Sequence, residues 1–425
     1  MSILIQNGHV INPATNTSEV MDVLIKGKKI KAMGKGLSRD DVEQVIDATG
    51  LVVTPGLVDI HVHFREPGQT SKEDIVSGAR AGAAGGFTTV VTMANTMPRV
   101  DNASAVLRAL RRSKEDACIN VLPTACATKE MKGEEITPMA ELKDAGIVAV
   151  TDDGQDICSS AIMRRVFEYA AMLDLPYMAH CEDESLAAGG AMNEGYTATR
   201  LGIPGIPKAA EEIRIDRNIR LAEMTGAHVH IQHVTTAEGI DTVRHFKSKG
   251  YGVTCEVCPH HWMLTDEAIA EFDTNAKMNP PLREQSDIDG IIAGIKDGTV
   301  DCISTDHAPH TPTEKEVEFS NAPFGIIGLE TALPLVIKGL VEPGHITLER
   351  AIELMTWAPS KMMHLSSGIL AEGGKADLCI FDAKQKWTVT LDDIYSKSRN
   401  TPFLGEEVTG RVRYTLCDGK VVHEG

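Results

Sequence analysis

Eight short apolar runs rich in β-branched residues punctuate the middle of the chain: Leu57 to Phe64, Phe87 to Ala94, Ile119 to Ala125, Ile147 to Asp153, Leu175 to His180, His228 to Val234, Gly252 to Pro259 and Val300 to Asp306. Between them lie stretches whose apolar residues recur at helical spacing: Lys72 to Ala84, Ala103 to Ser113, Ser159 to Leu173, Ala209 to Thr225, Thr236 to Lys249 and Ser286 to Lys296. Strands joined by crossover helices lie parallel, and eight such units over roughly 250 residues predict an α/β fold closed as a (β/α)8 TIM barrel, rather than an open doubly wound sheet. The near-continuous hydrophobicity of the runs agrees, because barrel strands are covered on both faces. In such barrels chemistry sits at the C-terminal ends of the strands.

The flanks have another texture. Residues 1–54 and 366–425 read as short alternating strands with turn signals such as Gln6-Asn7-Gly8 and Lys26-Gly27-Lys28. Neither flank is long enough for a core of its own, so the two are expected to pack together as one small, discontinuous β-sandwich domain, with the barrel, 55–365, inserted between them.

Composition limits what the chain can act on. With 42 basic and 60 acidic residues the formal charge is -18, which argues against nucleic acid and anionic membranes and for a small-molecule substrate. No apolar stretch approaches about 20 residues and no basic leader precedes an apolar core, so a cytoplasmic protein is expected. The nine cysteines are odd in number and scattered through strand-like runs, as buried thiols in a reducing compartment would be. Cys255 and Cys258 have the spacing of half a zinc ribbon, but there is no second pair and the reading is structural.

The first run ends in His61-Val62-His63-Phe64-Arg65, which places two imidazoles two residues apart on one side of a strand, suited to grip one metal ion. Four later runs each end on a residue of ligand type: Asp153, His180, His233 and Asp306. Five strand ends that converge on one point fit a barrel mouth. His228, His230, His260 and His261 also lie near strand ends and are read as structural or as outer partners of ligands.

Together these features resemble the amidohydrolase superfamily and, more closely, its bacterial-type dihydroorotases. The resemblance rests on Pro55 to Gly68 (with His61-Val-His63-Phe-Arg65), Met93-Ala-Asn-Thr-Met-Pro98, Thr151-Asp-Asp-Gly154, Ala179-His-Cys-Glu182, Gln232-His-Val-Thr235, Pro259-His-His261, Met278-Asn-Pro-Pro-Leu-Arg283, Ser304-Thr-Asp-His-Ala-Pro-His310 and Gly368 to Leu378. It implies two zinc ions: one held by His61, His63 and Asp306, a second by His180 and His233, with Asp153 between them. Many relatives bridge the metals with a carboxylated lysine on the fourth strand, whereas this strand ends Val148-Ala-Val-Thr-Asp-Asp153, as in the subgroup that uses an aspartate. Asp152 competes with Asp153, but neighbouring strand residues face opposite sides and only one should bridge.

The implied reaction is the reversible cyclisation of N-carbamoyl-L-aspartate to L-dihydroorotate, with metal-activated water attacking the cyclic amide and Asp306 as the general acid/base. The resemblance supplies Arg65, Asn95 and His310 for the substrate carboxylate, Asn279 for the ring amide, and the glycine-rich Pro323 to Gly328, with Phe324 and Gly325, for backbone contacts; Thr311 to Ser320 reads as a covering loop. It also leaves room for a homodimer and for association with aspartate transcarbamoylase. Two other readings keep the fold: a hydantoinase, dihydropyrimidinase or allantoinase, which Arg65 disfavours because those substrates lack the ring carboxylate, and a catalytically silent scaffold of the transcarbamoylase, which should have lost ligands that are all present here.

Overall fold

The computed structural model describes residues 2–425. Five strands open the chain: β1 (Ser2–Asn12), β2 (Thr17–Lys26), β3 (Lys29–Gly34), β4 (Gln44–Asp47) and β5 (Val52–Pro55). The barrel strands follow: β6 (Leu57–Val62), β7 (Phe87–Thr92), β8 (Asn120–Pro123), β9 (Val150–Thr151), β10 (Tyr177–Ala179), then the short pair β11 (Met192–Asn193) and β12 (Gly205–Ile206) outside the ring, then β13 (Val229–Ile231), β14 (Val253–Val257) and β15 (Cys302–Ile303). The chain closes with β16 (Leu378–Thr388), β17 (Glu407–Cys417) and β18 (Lys420–Glu424).

β6, β7 and β8 pair in parallel as one sheet, and β9, β10, β13, β14 and β15 as another. Single parallel bridges, Ala125 to Val150 and Val62 to His307, join the two sheets at both seams and close a ring of eight strands in chain order. Helices return between successive strands: Ile75–Ala84, Ala103–Asp116, Met139–Ala145, Ser160–Met172, Ala209–Thr225, Ala237–Ser248 and Gln285–Asp297. Six of these follow the helical periodicity in the sequence. Met139–Ala145 does not announce itself, because a seven-residue helix that buries only Met139 and Leu142 shows less than two turns of pattern. Buried strand and helix residues such as Val90, Val121, Val150, Phe167, Ile219, Ile240 and Ile291 form one continuous core around the ring. No helix among the described residues is long and apolar enough to cross a membrane.

The flanking segments form a single sandwich-like sheet in the order β18-β17-β16-β5-β1-β2-β3, with β4 on β1. β1 changes partner along its length, pairing Ile3 to Gln6 with β4 and His9 and Val10 with β5. The two ends of the chain meet where β5 runs antiparallel to β16. Ile3, Ile5, Val10, Val23, Ile25, Ile30, Val53, Leu378, Ile380 and Leu416 make its core. Residues 389–406 leave this sheet between β16 and β17 and return to the barrel, where Val389, Ile394 and Phe403 pack with Ile327 and Leu335. The C-terminal segment therefore reaches the barrel mouth as well as the small sheet.

A buried arginine ties the loop after β14 to the excursion between β10 and β13. Arg283 Nη2 lies 3.1 Å from Glu211 Oε2, Nε donates to Thr235 Oγ1 at 3.0 Å, and Nη1 donates to Asn193 Oδ1 and the Ile206 carbonyl. Arg283→Met strands the Glu211 carboxylate without its cation in a site closed to water, and is expected to cost about 3 to 5 kcal/mol, read as a large fall in Tm. A Tm within a degree or so of wild type would show that the pair is not holding this loop.

Candidate functional site

Five strand ends deliver the ligand-type residues to one point. His61 is the penultimate residue of β6 and His63 follows the strand, whose pairing with β7 slips between Asp59 and Val62, just where the histidines begin. Asp153 follows β9, His180 follows β10, His233 follows β13 and Asp306 follows β15; all are buried. The Asp153 carboxylate is the hub: its Oδ1 lies 3.4 Å from His61 Nε2, 3.8 Å from His180 Nδ1 and 3.9 Å from His233 Nε2, and its Oδ2 lies 3.4 Å from His63 Nε2. Asp306 Oδ1 is 2.9 Å from His63 Nε2 and 3.4 Å from His61 Nε2. His180 Nδ1 and His233 Nε2 approach to 3.0 Å.

Three of these residues or their neighbours have left-handed backbone, Arg65 at φ 57°, His233 at φ 32° and Asp306 at φ 46°. Side-chain-bearing residues adopt that region at a cost of the order of 1 to 3 kcal/mol, which the surrounding packing must sustain to aim the side chains inward.

The donor set fits a metal pair. His61, His63 and Asp153 present ligand atoms within 4.8 Å of one another, as do Asp153, His180 and His233, and His61, His233 and Asp306. Asp153 belongs to two of these groups. The buried His180 Nε2 has no hydrogen-bond partner in the chain, and the close approach of two imidazole nitrogens uses at most one shared proton. Imidazole and carboxylate donors suit zinc and its first-row neighbours.

Behind the cluster lie residues that motif reasoning did not name. Glu256 on β14, fully buried, brings Oε1 within 2.6 Å of His61 Nδ1 and accepts from Ser304 Oγ at 2.6 Å on Oε2, with His230 Nε2 3.2 Å away. A carboxylate on the outer nitrogen fixes the tautomer and orients the ring toward its inner face. Glu256 stands between the paired cysteines, Cys255 and Cys258, and no local pattern marks it as a partner of His61. Both are buried, Cys255 up at about 12 and Cys258 also pushed up by burial, so they stay thiols. Cys258 groups with His260 and His261, and Cys255 points its Sγ at the Thr299 carbonyl. His228 bonds Thr254 Oγ1, and His261 Nε2 bonds the Pro280 carbonyl. Asp152 turns away from the hub: Oδ1 accepts from the Ala127 and Thr128 amides and Oδ2 from the Thr128 hydroxyl.

A cavity of about 340 Å³ opens over the cluster, lined among others by Arg65, Asn95, Asn279, His310, Phe324 and Gly325. Arg65 Nε donates to the Pro309 carbonyl at 3.3 Å, and Nη2 sits 3.4 Å from His310 Nε2. Burial lowers Arg65 only to about 10, so it is charged at neutral pH. Burial, then the charges of Arg65 and Lys72, push His310 down to about 2, which leaves it a neutral imidazole. Asn279 Oδ1 is buried without a partner. Asn95 has a second task beside lining the cavity, since Oδ1 accepts from His63 Nδ1 at 3.0 Å and Nδ2 lies 3.4 Å from Asp153 Oδ2. The Gly325 amide is committed to the Lys277 carbonyl and its own carbonyl to Asn400, so the backbone there shapes the wall; a Cβ at Gly325 would lie 2.5 Å from the Ala308 carbonyl. The segment read as a covering loop is pinned: Lys315 Nζ donates to the Thr274 and Pro323 carbonyls at 2.9 Å, and Thr311 caps the helix Pro312–Lys315.

A (β/α)8 barrel with this His/Asp cluster at its mouth is the architecture of a metal-dependent amidohydrolase. The model of dihydro-orotase-like proteins matches residues 50–239. A protein of Geotalea daltonii named dihydroorotase is 47% identical over 424 residues, covering 100% of both chains, and one of Acetivibrio thermocellus with the same name is 46% identical over 420 residues, covering 99% of this chain and 98% of its own. Among solved structures, the L-hydantoinase (dihydropyrimidinase) of Arthrobacter aurescens superposes with a TM-score of 0.89 at 25% identity, covering 99% of this chain and 96% of that one. The dihydropyrimidinase of Brevibacillus agri, at 23% identity and a TM-score of 0.87, shares the fold. The chain belongs to the dihydroorotase family.

The geometry separates the two adjacent aspartates. Asp153→Asn should abolish tight metal binding, whereas Asp152→Asn should keep the metal content of wild type and lose about 1 to 3 kcal/mol of stability with the Thr128 turn. Metal analysis of both variants beside their Tm decides it; metal loss in Asp152→Asn alone would reverse the roles.

Proposed function

We propose that the chain is a dihydroorotase, closing N-carbamoyl-L-aspartate to L-dihydroorotate and reopening it in de novo pyrimidine biosynthesis. The observation that carries this reading is the cavity, which sets charged Arg65 and neutral His310 beside the Asp153 cluster. The full-length likeness to proteins named dihydroorotase supports it, and the hydantoinase reading rests on a fold likeness at 26% identity or less.

His61, His63 and Asp306 would hold one divalent ion, His180 and His233 a second, with Asp153 shared; the proposed ion is zinc, one of the metals that such donors suit. When bound, such ions make water a better nucleophile and polarise an amide carbonyl. Asp306 Oδ1 faces His61 and His63, so Oδ2 takes the proton of the attacking water and passes it to the departing ring nitrogen. In the synthetic direction the same oxygen takes the proton from the attacking carbamoyl nitrogen and returns it to the leaving water. The unpartnered Asn279 Oδ1 accepts the ring N–H. Arg65 engages the substrate carboxylate with its planar fork, aided by His310 and by Asn95 Nδ2. Phe324 and Gly325 complete the wall. The reading places the chain in the cytoplasm, and a homodimer and a complex with aspartate transcarbamoylase are the assemblies to look for, by light scattering with and without that partner.

Replacing Arg65 with methionine keeps much of the length and removes the charge. Arg65→Met should raise KM for dihydroorotate by very roughly 30-fold or more, the lower end of what truncating one side of a buried charge pair costs, with metal content unchanged. Wild-type kinetics in this variant would sink the carboxylate assignment, and hydantoin turned over faster than dihydroorotate by the unaltered protein would sink the substrate.

A further inference from the structure

Lys72 is near the cavity but does not line it. Its side chain is only 14% exposed, and the ammonium lies 2.8 Å from Glu314 Oε1 and 3.3 Å from His310 Nδ1. Its carbonyl accepts from Ser398 Oγ at 2.7 Å, so the excursion between β16 and β17 helps to place it. The same excursion holds the other side of His310, whose amide donates to Asn400 Oδ1 at 3.0 Å. The imidazole thus sits between two cations, with Lys72 at Nδ1 and Arg65 at Nε2.

A neutral imidazole has one donor and one acceptor nitrogen, and an ammonium can only donate. Lys72 and Arg65 both only donate, so the ring can accept from just one of them; acceptance at Nδ1 from Lys72 puts the single ring proton on Nε2. The competing arrangement needs a proton acceptor at Nδ1. Glu314 Oε2 is 3.7 Å away, beyond hydrogen-bond reach, and is already taken by the Thr311 amide and hydroxyl at 3.0 and 2.9 Å. With the proton on Nε2, His310 N–H and Arg65 Nη2 stand 3.4 Å apart as two donors, beside the Phe324 backbone to which the ring also bonds. An anionic oxygen at that point would satisfy both.

We propose that Lys72 is a positioning residue that fixes the Nε2–H tautomer of His310, making the ring a second hydrogen-bond donor to the substrate carboxylate beside Arg65. The inference rests on the carboxylate reading above. It assigns a role in substrate affinity to a residue that touches neither substrate nor metal.

The test uses the metal-loaded, full-length protein labelled with 15N-histidine, with the His310 signals assigned by their loss in His310→Asn. In wild type Nδ1 should be unprotonated and Nε2 protonated. Lys72→Met should show a mixture of tautomers or the Nδ1–H form, and KM for dihydroorotate should rise about 10-fold, the worth of one hydrogen bond to a charged group, with kcat changed far less and metal content unchanged. Lys72→Arg should restore most of the affinity. A wild-type ring protonated at Nδ1, an unaltered tautomer or KM in Lys72→Met, or a loss of metal in that variant would each overturn the proposal. Failure of the carboxylate reading shows separately, as an unmoved KM in Arg65→Met while the His310 tautomer stands as described.

Discussion

Everything at the barrel mouth is arranged around one carboxylate. Asp153 lies within 3.4 to 3.9 Å of four imidazoles carried by three other strand ends, in a place almost closed to water. Burial alone would raise its pKa, and the surrounding histidines, His61 foremost, more than reverse this and hold it well below the usual range. An anion so placed can stay charged only if the strands that present its partners cannot spread, because an unpaired charge there costs several kcal/mol. Ring closure supplies that restraint. The seams at Ala125–Val150 and Val62–His307 are one bridge wide, and the second lies directly beside His61, His63 and Asp306.

Support continues outward in layers. Glu256 holds the far side of His61, Asn95 the far side of His63, and Asp152 the turn beside Asp153. Asp59, raised to about 7 by burial, accepts from the His61 amide and from the Thr305 amide and hydroxyl, so it ties the first strand to the last just below the metal-type ligands. The small sheet takes part through residues 389–406, since Asn400 bonds His310, Ala308 and Gly325 at once. The barrel mouth is thus assembled from the barrel's own strand ends and a segment of the C-terminal flank.

The barrel was legible because buried parallel strands carry an unbroken apolar signal and their crossover helices a periodic one. All eight apolar runs contain a barrel strand, though the ordered strands are shorter, down to two residues at Val150–Thr151 and Cys302–Ile303. Cluster positions were readable because ligand-type side chains at the end of apolar runs have no packing reason to be there. What could not be read was support that depends on distant segments. Glu256 looks like any strand glutamate until His61 stands 2.6 Å away, 195 residues earlier in the chain. Asn400 and Ser398 sit in a polar stretch with no periodicity, and only the fold places them against His310 and Lys72. Thr311 to Ser320 reads as a covering loop for its polarity, and the turning of Lys315 inward to three carbonyls is not revealed by any local pattern.

The central claim is that one shared aspartate organises a site for two ions that works on dihydroorotate. Stripping the protein with chelator and adding zinc back in measured equivalents, with bound metal per chain and dihydroorotate hydrolysis followed together, tests it most directly. The account predicts negligible activity in the stripped protein and full activity only as the bound metal reaches two per chain. Full activity with one ion bound, or with none, would contradict it.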